Sequence, residues 1–413
     1  MQSGWRVGSI LGIPFFIDRS WLIILCLVTA SYGLDPAWQG NWGGWAGLMG
    51  LTLALLLFAS VLLHELGHSL AAKGQGIAVN SITLFLFGGI AAIDRESSTP
   101  VAAFKVAIAG PLVSLGLFLL LTGFTRLESL PVPMALVIGS VAQINLVLTL
   151  FNLIPGLPLD GGQVLKALVW KVTNNRFQGT RWAARSGQVL GSLAILFGLT
   201  ITLVYQIFSG LWIAAIGWFA LRNAATYHQV TNLQEAMLSL TAANAMTRDF
   251  RVVDANMTIR QFADTYLLEE KHVPAYFASS EGRYRGMVVV DDLRNIERSQ
   301  WEVLSLHHMV RPLSSLPVVR ETTPLTEVIA QLEELALAQL TVLSPADAVA
   351  GILDRGDVVK ALADRLGLRI PAAVIQRIKE DGQYPAGLQL ANLARSVSQD
   401  HPVLNPRAAQ TQP

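Results

Sequence analysis

Two histidines with a glutamate between them, His64-Glu65-Leu66-Gly67-His68, close an otherwise apolar run over residues 51–63. On a helix His64 and His68 lie about 6 Å apart on one face, so both imidazoles can share a metal ion, and the spacing is that of zinc ligands. Glu65 stands about 100° round the helix from His64, close enough to act on a water beside the metal without coordinating it, which is the position of a general base. The competing reading of three ionisable side chains in an apolar run is a polar set hydrogen-bonded inside a bundle, or an ion or proton path.

A hydrolytic zinc site takes three protein ligands and leaves one position for water, so a third ligand must come from elsewhere. The candidate is Asp160, in Phe151-Asn152-Leu153-Ile154-Pro155-Gly156-Leu157-Pro158-Leu159-Asp160-Gly161-Gly162. Pro155 and Pro158 end the preceding helix, and Gly161 and Gly162 permit a tight turn that aims the acid back into a bundle. The alternative is an ordinary carboxylate in an interfacial loop.

The elements that must position these groups are set by composition. With 413 residues, 52% hydrophobic and 14% charged, and a mean hydropathy of +0.46, the chain is too apolar for an ordinary soluble enzyme. Candidate membrane spans are 21–34, 45–72, 101–124, 133–154, 187–208 and 211–225, against a need for about 20 residues per crossing, with a turn at Ser209-Gly210. The first and last are short.

With six spans, Arg6, Arg19, Lys73, Arg95, Lys105, Lys166, Lys171, Arg176, Arg181, Arg185 and Arg222 fall on one side and only Arg126 on the other. The excess predicts that both termini face the cytoplasm, with the chain in the cell membrane and the histidines near the inner end of the second span. Residues 1–16 lack the pattern of a secretory signal and are expected to stay on, as short strands. Residues 81–93 and Ile13-Pro14-Phe15-Phe16 read as strands of a membrane-associated sheet beside the site.

A net charge of +1 with no basic stripe gives no footprint for nucleic acid, and none is expected as a partner. The single cysteine, Cys26, excludes an internal disulfide and a thiolate metal site and reads as packing in an apolar run.

The ordered set of HELGH at 64–68, Phe87-Gly88-Gly89-Ile90, Ala109-Gly110-Pro111, Asn145 in Gln143-Ile144-Asn145-Leu146, and FNLIPGLPLDGG at 151–162 resembles the site-2 protease family of intramembrane zinc metalloproteases. The resemblance covers about the first 225 residues. It implies one Zn2+ per chain held by His64, His68 and Asp160, with Glu65 as the catalytic acid/base. It also implies a membrane-anchored protein as substrate, already trimmed on its far side. The substrate's transmembrane helix must unwind locally before cleavage, because its carbonyls are engaged in intrahelical bonds; family members are thought to capture it by strand addition to the sheet. For Asn145 the resemblance implies contact with the substrate backbone or the developing oxyanion; a hydrogen bond between helices is the alternative.

Beyond residue 225 the chain alternates like a soluble domain and repeats itself at about 60 residues. Asn244-Ala245-Met246-Thr247-Arg248 and Arg285-Gly286-Met287-Val288-Val289-Val290-Asp291-Asp292-Leu293 are followed by His308-Met309-Val310-Arg311-Pro312 and Val349-Ala350-Gly351-Ile352-Leu353-Asp354-Arg355-Gly356-Asp357-Val358. Both halves resemble CBS domains, which pair into a disc, often stack into homodimers and in some members bind adenine nucleotides at the seam. Asp292 and Asp357 are the candidate nucleotide contacts. The hydroxyl that precedes such an aspartate by three residues in nucleotide-binding members is replaced here by Val289 and Asp354. His307 and His308 are adjacent, point in different directions on a regular element and read as solvated surface residues.

The expected architecture is a polytopic α-helical membrane protein, about six transmembrane helices with short membrane-associated β-strands, joined to a soluble α/β CBS pair. The expected divisions are a metalloprotease region at 1–226, a linker at 227–240, CBS domains at 241–300 and 305–366, and an extension at 367–413 with one short helix over 372–378 and a disordered end. The expected activity is an intramembrane zinc endopeptidase gated by the CBS pair. The competing class is a CBS-regulated ion channel or transporter, which does not account for Asp160 in its motif.

Overall fold

The computed structural model describes residues 4–86, 88–126, 130–268, 275–385, 388 and 390–400. Phe87 of the Phe87-Gly88-Gly89-Ile90 stretch and the chain end at 401–413 lie outside the described residues. The chain divides into two compact units, Met1–Thr231 and Asn232–Pro413.

The first unit opens with a hairpin of β1 (Trp5–Ile10) and β2 (Ile13–Ile17), turned at Leu11 and Gly12, both with positive φ. Then come α1 (Trp21–Gly33), α2 (Pro36–Trp42) and α3 (Ala46–Lys73), followed by β3 (Val79–Phe85) and β4 (Gly88–Ile93). The strands form one sheet in the order β1-β2-β3-β4. β2 and β3 run parallel with Phe15 opposite Ile82, and β4 pairs antiparallel to β3 at the edge. Ile13, Trp21, Phe58, Leu66, Ile82 and Leu84 form a buried cluster that seals the sheet onto α1 and α3, with the Trp21 and Phe58 rings 4.4 Å apart.

The remaining helices are α4 (Pro100–Thr125), α5 (Val132–Asn152), α6 (Asp160–Thr173), α7 (Arg176–Tyr205) and α8 (Gly210–Ser239). Thr99 caps α4 by accepting from the Ala102 amide, with Pro100 at the first turn, and Asn175 caps α7, each satisfying orphan donors at a helix start. Segments 36–73, 100–125, 132–152 and 176–205 are long and apolar enough to cross a membrane. The first expected span is α1, an apolar helix of 13 residues. The expected last span lies in α8, which starts at Gly210 as the turn predicted and continues to Ser239, so residues 227–239 of the expected linker are helical. Cys26 is exposed on α1.

In the first unit one local expectation is overturned. Gly161 and Gly162 do not turn the chain; they lie in the first turn of α6, which begins at Asp160. A Cβ on Gly161 would fall on the Leu153 and Ile154 carbonyls, and one on Gly162 on the Gly156 backbone. These glycines let the start of α6 pack against its own approach segment.

The second unit holds two sheets. β5 (Arg251–Asp254), β6 (Tyr276–Ser280), β7 (Arg283–Val288) and β8 (Val310–Pro312) form the first, in that order. β9 (Val318–Arg320), β10 (Gln339–Leu343) and β11 (Val349–Asp354) form the second. Helices α9 (Ala242–Ala245), α10 (Ile259–Phe262), α11 (Leu325–Glu334) and α12 (Arg355–Leu366) accompany them. Ala275, Phe277, Val349 and Ile352 join the two sheets in one buried cluster. The extension carries two helices rather than one, α13 (Ala372–Asp381) and α14 (Leu390–Asp400). Ile375, Ile378, Leu390 and Ala394 from them enter the same core as Leu325, Ile329 and Leu362.

Candidate active site

The site is built on α3. Ser60, His64 and His68 recur at every fourth residue, all buried, and make a polar stripe on one face of an otherwise apolar helix. α3 packs against α4 and α5, and α4 against α6, so Ser60 meets α5 while His64 and His68 meet α4 and the start of α6.

His64 and His68 project toward each other, their Nε2 atoms 3.3 Å apart. Asp160, 96 residues later, brings Oδ2 to 2.9 Å from His64 Nε2 and 3.3 Å from His68 Nε2. The far nitrogens are held by α4: His68 Nδ1 is 2.7 Å from the Val106 carbonyl and His64 Nδ1 is 2.9 Å from Ser114 Oγ. Because a carbonyl only accepts, His68 must carry its proton on Nδ1, which leaves the Nε2 lone pair of the neutral ring turned into the site. Asn152 Nδ2 lies 3.4 Å from His64 Nε2.

This donor set fits zinc. At zinc–ligand bonds of about 2.0–2.1 Å, the edge of a coordination tetrahedron is about 3.3 Å, and two of the three separations match it at 3.3 Å while the third is 2.9 Å. The candidate ligand atoms all lie within 4.8 Å of one another. Gly110 keeps the space in front of them open: a Cβ there would fall on His68 Nε2 and lie 2.7 Å from His64 Nε2.

Glu65 faces the sheet. A Cβ on Gly89, in the edge strand β4, would fall on Glu65 Cγ, so the carboxylate side chain lies directly against the strand backbone. Asn145 is fully buried on α5. Its Nδ2 donates to Ser60 Oγ and to the Val141 carbonyl, each at 2.9 Å, while its Oδ1 has no partner among the described residues. The Val141 carbonyl fixes which end of the amide is which, since only the NH2 can face it.

The two aspartates expected at the CBS pair are both engaged. Arg311 donates to Asp292 through Nε at 3.0 Å and Nη2 at 2.9 Å. Asp357 is buried, and Lys379 Nζ on α13 donates to it at 2.6 Å and to Asp354 at 3.0 Å. Burial, together with the neighbouring Asp354 charge, pushes the Asp357 carboxyl above the usual carboxylate range despite the pull of Lys379. Burial lowers Lys379, but its bonds to Asp357 and Asp354 outweigh that and leave it above an ordinary lysine. His307 and His308 are exposed.

Sequence reasoning missed Ser60, Ser114 and the Val106 carbonyl. Ser60 had a signal, since it stands one helical repeat before His64; the two groups on α4 had none, because their distance in sequence from the histidines follows no helical spacing.

Comparison with known proteins assigns residues 52–129 and 127–197 to the Peptidase family M50 model and residues 242–298 and 308–364 to the CBS domain model. A Synechocystis sp. protein named as a zinc metalloprotease is 42% identical over 364 residues, covering 88% of this chain and 96% of its own. The zinc metalloprotease MJ0392 of Methanocaldococcus jannaschii is 28% identical, covering 88% of this chain and 97% of its own. Among solved structures, a site-2 protease from Methanocaldococcus jannaschii is 28% identical with a TM-score of 0.41, covering 55% of this chain and 95% of its own.

Proposed function

Since the chain belongs to peptidase family M50, the site-2 proteases, and is a membrane zinc metalloprotease with tandem CBS domains, we propose that it cleaves the transmembrane segment of a membrane-anchored protein. In this reading His64, His68 and Asp160 hold one zinc ion and Glu65 is the acid/base. The carrying observation is the meeting of His64 Nε2, His68 Nε2 and Asp160 Oδ2 from two helices far apart in sequence, with Glu65 on the adjacent face toward β4.

Zinc held there supplies Lewis acidity toward the scissile carbonyl and brings a water's pKa toward about 7. Glu65 takes the proton of the attacking water and returns it to the leaving amine. Ser114 and the Val106 carbonyl keep both imidazoles in register throughout. β4 is an edge strand, so a substrate segment added to it in extended form runs its carbonyls past Glu65. Extension is itself required, because a helical substrate hides its carbonyls in intrahelical bonds. Asn145 serves the substrate through Oδ1, an acceptor for a substrate backbone N–H; its donors are already committed to Ser60 and Val141.

In this reading the chain lies in the cell membrane, and the distribution of basic residues supports both termini and the CBS pair on its cytoplasmic side. The CBS pair serves as a regulatory module and a surface for homodimer formation. An adenine nucleotide contacting Asp292 and Asp357 has to release them from Arg311 and Lys379.

The test is cleavage of a reporter transmembrane helix by purified wild-type protein and Glu65→Gln, with zinc measured in both. Zinc near one per chain in both and cleavage only in wild type is expected. No zinc and no cleavage in wild type overturns the reading and favours a transport function. Cleavage unaltered by removal of residues 241–413 would count against gating by the CBS pair.

A further inference from the structure

Lys166 is buried, 7% exposed, on the helix that begins with Asp160. Its Nζ sits 2.9 Å from each carboxylate oxygen of Glu96. A lysine taken out of water and bound to both oxygens of one acid is costly unless the pair is held in that geometry. Nothing in the chemistry assigned above uses either residue.

The position of Glu96 gives the pair a purpose. Glu96 lies in the six-residue connection between β4, which ends at Ile93, and α4, which starts at Pro100. β4 carries Gly89, against which Glu65 lies. α4 carries the Val106 carbonyl and Ser114, which hold the two histidines, and Gly110, which leaves their Nε2 atoms clear. The same connection is tied to the end of α3, where Ser97 Oγ donates to Gln75 at 3.0 Å and Gln75 donates to the Ala102 carbonyl at 3.0 Å. Glu96 is thus the point where the supports of Glu65, His64 and His68 meet α6, which delivers Asp160.

From Lys166 back to Asp160 is six residues, about 9 Å of straight helix. α6 is also pinned along its length: a Cβ on Gly162 would fall on the Gly156 backbone, and one on Gly179 of α7 on the Lys166 carbonyl. A helix held this closely moves as a rod, so a hold on Lys166 fixes the depth and roll at which its first residue enters the site. We propose that Lys166 and Glu96 are positioning residues, a clamp that sets Asp160 against His64 and His68 and so governs how tightly the site holds its metal. The inference rests on the zinc reading above and extends it to two residues outside the donor set.

The experiment uses the full chain in detergent or nanodiscs. Zinc affinity is measured by competition with a chelator, and melting of the zinc-free protein is recorded alongside. Lys166→Met and Glu96→Gln are each expected to weaken zinc binding about 10-fold, the lower end of the range seen when groups hydrogen-bonded to metal ligands are removed, since neither touches a ligand itself. The double variant is expected to be no worse than the weaker single one, and Lys166→Arg to restore most of the affinity. Should Lys166→Met fail to fold, Glu96→Gln carries the test, since it is isosteric and its side chain is 56% exposed. A brace that merely stabilises the fold lowers the melting temperature of the zinc-free protein and leaves the zinc affinity of the folded variants unchanged; that result overturns the clamp alone. Wild-type protein without zinc, or zinc retained by His64→Ala, overturns the zinc reading and the clamp together.

Discussion

Asp160 Oδ2 lies 2.9 Å from His64 Nε2 across 96 residues of intervening sequence. Two desolvated groups approach this closely, without a further cation, only as a hydrogen-bonded pair; with one, they are two corners of its coordination shell. The second account also covers His68, whose Nε2 faces the same oxygen at 3.3 Å. Asp160→Asn keeps the shape of the side chain and removes its charge, so zinc affinity should fall more than about 100-fold. His64→Ala should hold less than about a tenth of a zinc per chain. Metal analysis of purified protein checks both, and full occupancy in either variant would remove that residue from the ligand set.

Gly110→Ala separates the site from the fold. Alanine is ordinarily better than glycine in a helix interior by about 1 kcal/mol, but here its Cβ would fall on His68 Nε2 and lie 2.7 Å from His64 Nε2. The expected result is a folded protein with normal melting behaviour that has lost both zinc and cleavage. A variant that keeps zinc would mean that the rings have room to withdraw.

Much of this site is legible in the sequence because its chemistry is written at helical spacing. His64 and His68 declare a shared face, and Asp160 stands out as an acid in a proline- and glycine-rich segment that follows an apolar helix. Residues 13–16 and 81–93 read as strands, and their described residues fall mainly in β2, β3 and β4 of one sheet. The spacing said nothing of Ser114, the Val106 carbonyl, Lys166 or Glu96, since a tertiary partner obeys no period. Gly161 and Gly162 misled for a physical reason: glycine supplies either a turn or a close approach, and only the neighbouring Leu153, Ile154 and Gly156 backbone reveals which. In the second unit α14 escaped notice because a short amphipathic helix in a polar tail gains its stability from a core that the local sequence does not contain.

Asn145 distinguishes two ways of meeting a substrate. Its donors bind Ser60 and Val141 and its Oδ1 is unpaired among the described residues, so it can accept from a substrate amide but has no N–H to spare for an oxyanion. Asn145→Ala should raise KM several-fold with a smaller change in kcat, the signature of binding shared by ground and transition states. Ser60→Ala should leave KM nearly unchanged and cost about 0.6 kcal/mol of stability, a typical bond between membrane helices. Steady-state cleavage of a reporter helix reads both, and a drop confined to kcat for Asn145→Ala would favour the oxyanion role.

In the second unit, one lysine serves two acids. Lys379 side chain is 25% exposed, Asp354 19% and Asp357 6%, so removing the ammonium strands two partly desolvated carboxylates. Breaking a fully buried pair costs about 3–5 kcal/mol, and the partial exposure of Lys379 brings Lys379→Met nearer to about 2–3 kcal/mol. Spread over a unit of this size, that is a melting shift of about 5–10 °C, readable by thermal proteolysis of the full chain with cleavage followed within residues 232–413. Asp357→Asn should cost less, because it removes one of two acids competing for a single cation, and Asp354 remains to pair with it. The reverse order would mean that the Asp357 carboxylate bonds outweigh the repulsion between the two acids, and that Lys379 is a bystander at the start of α12.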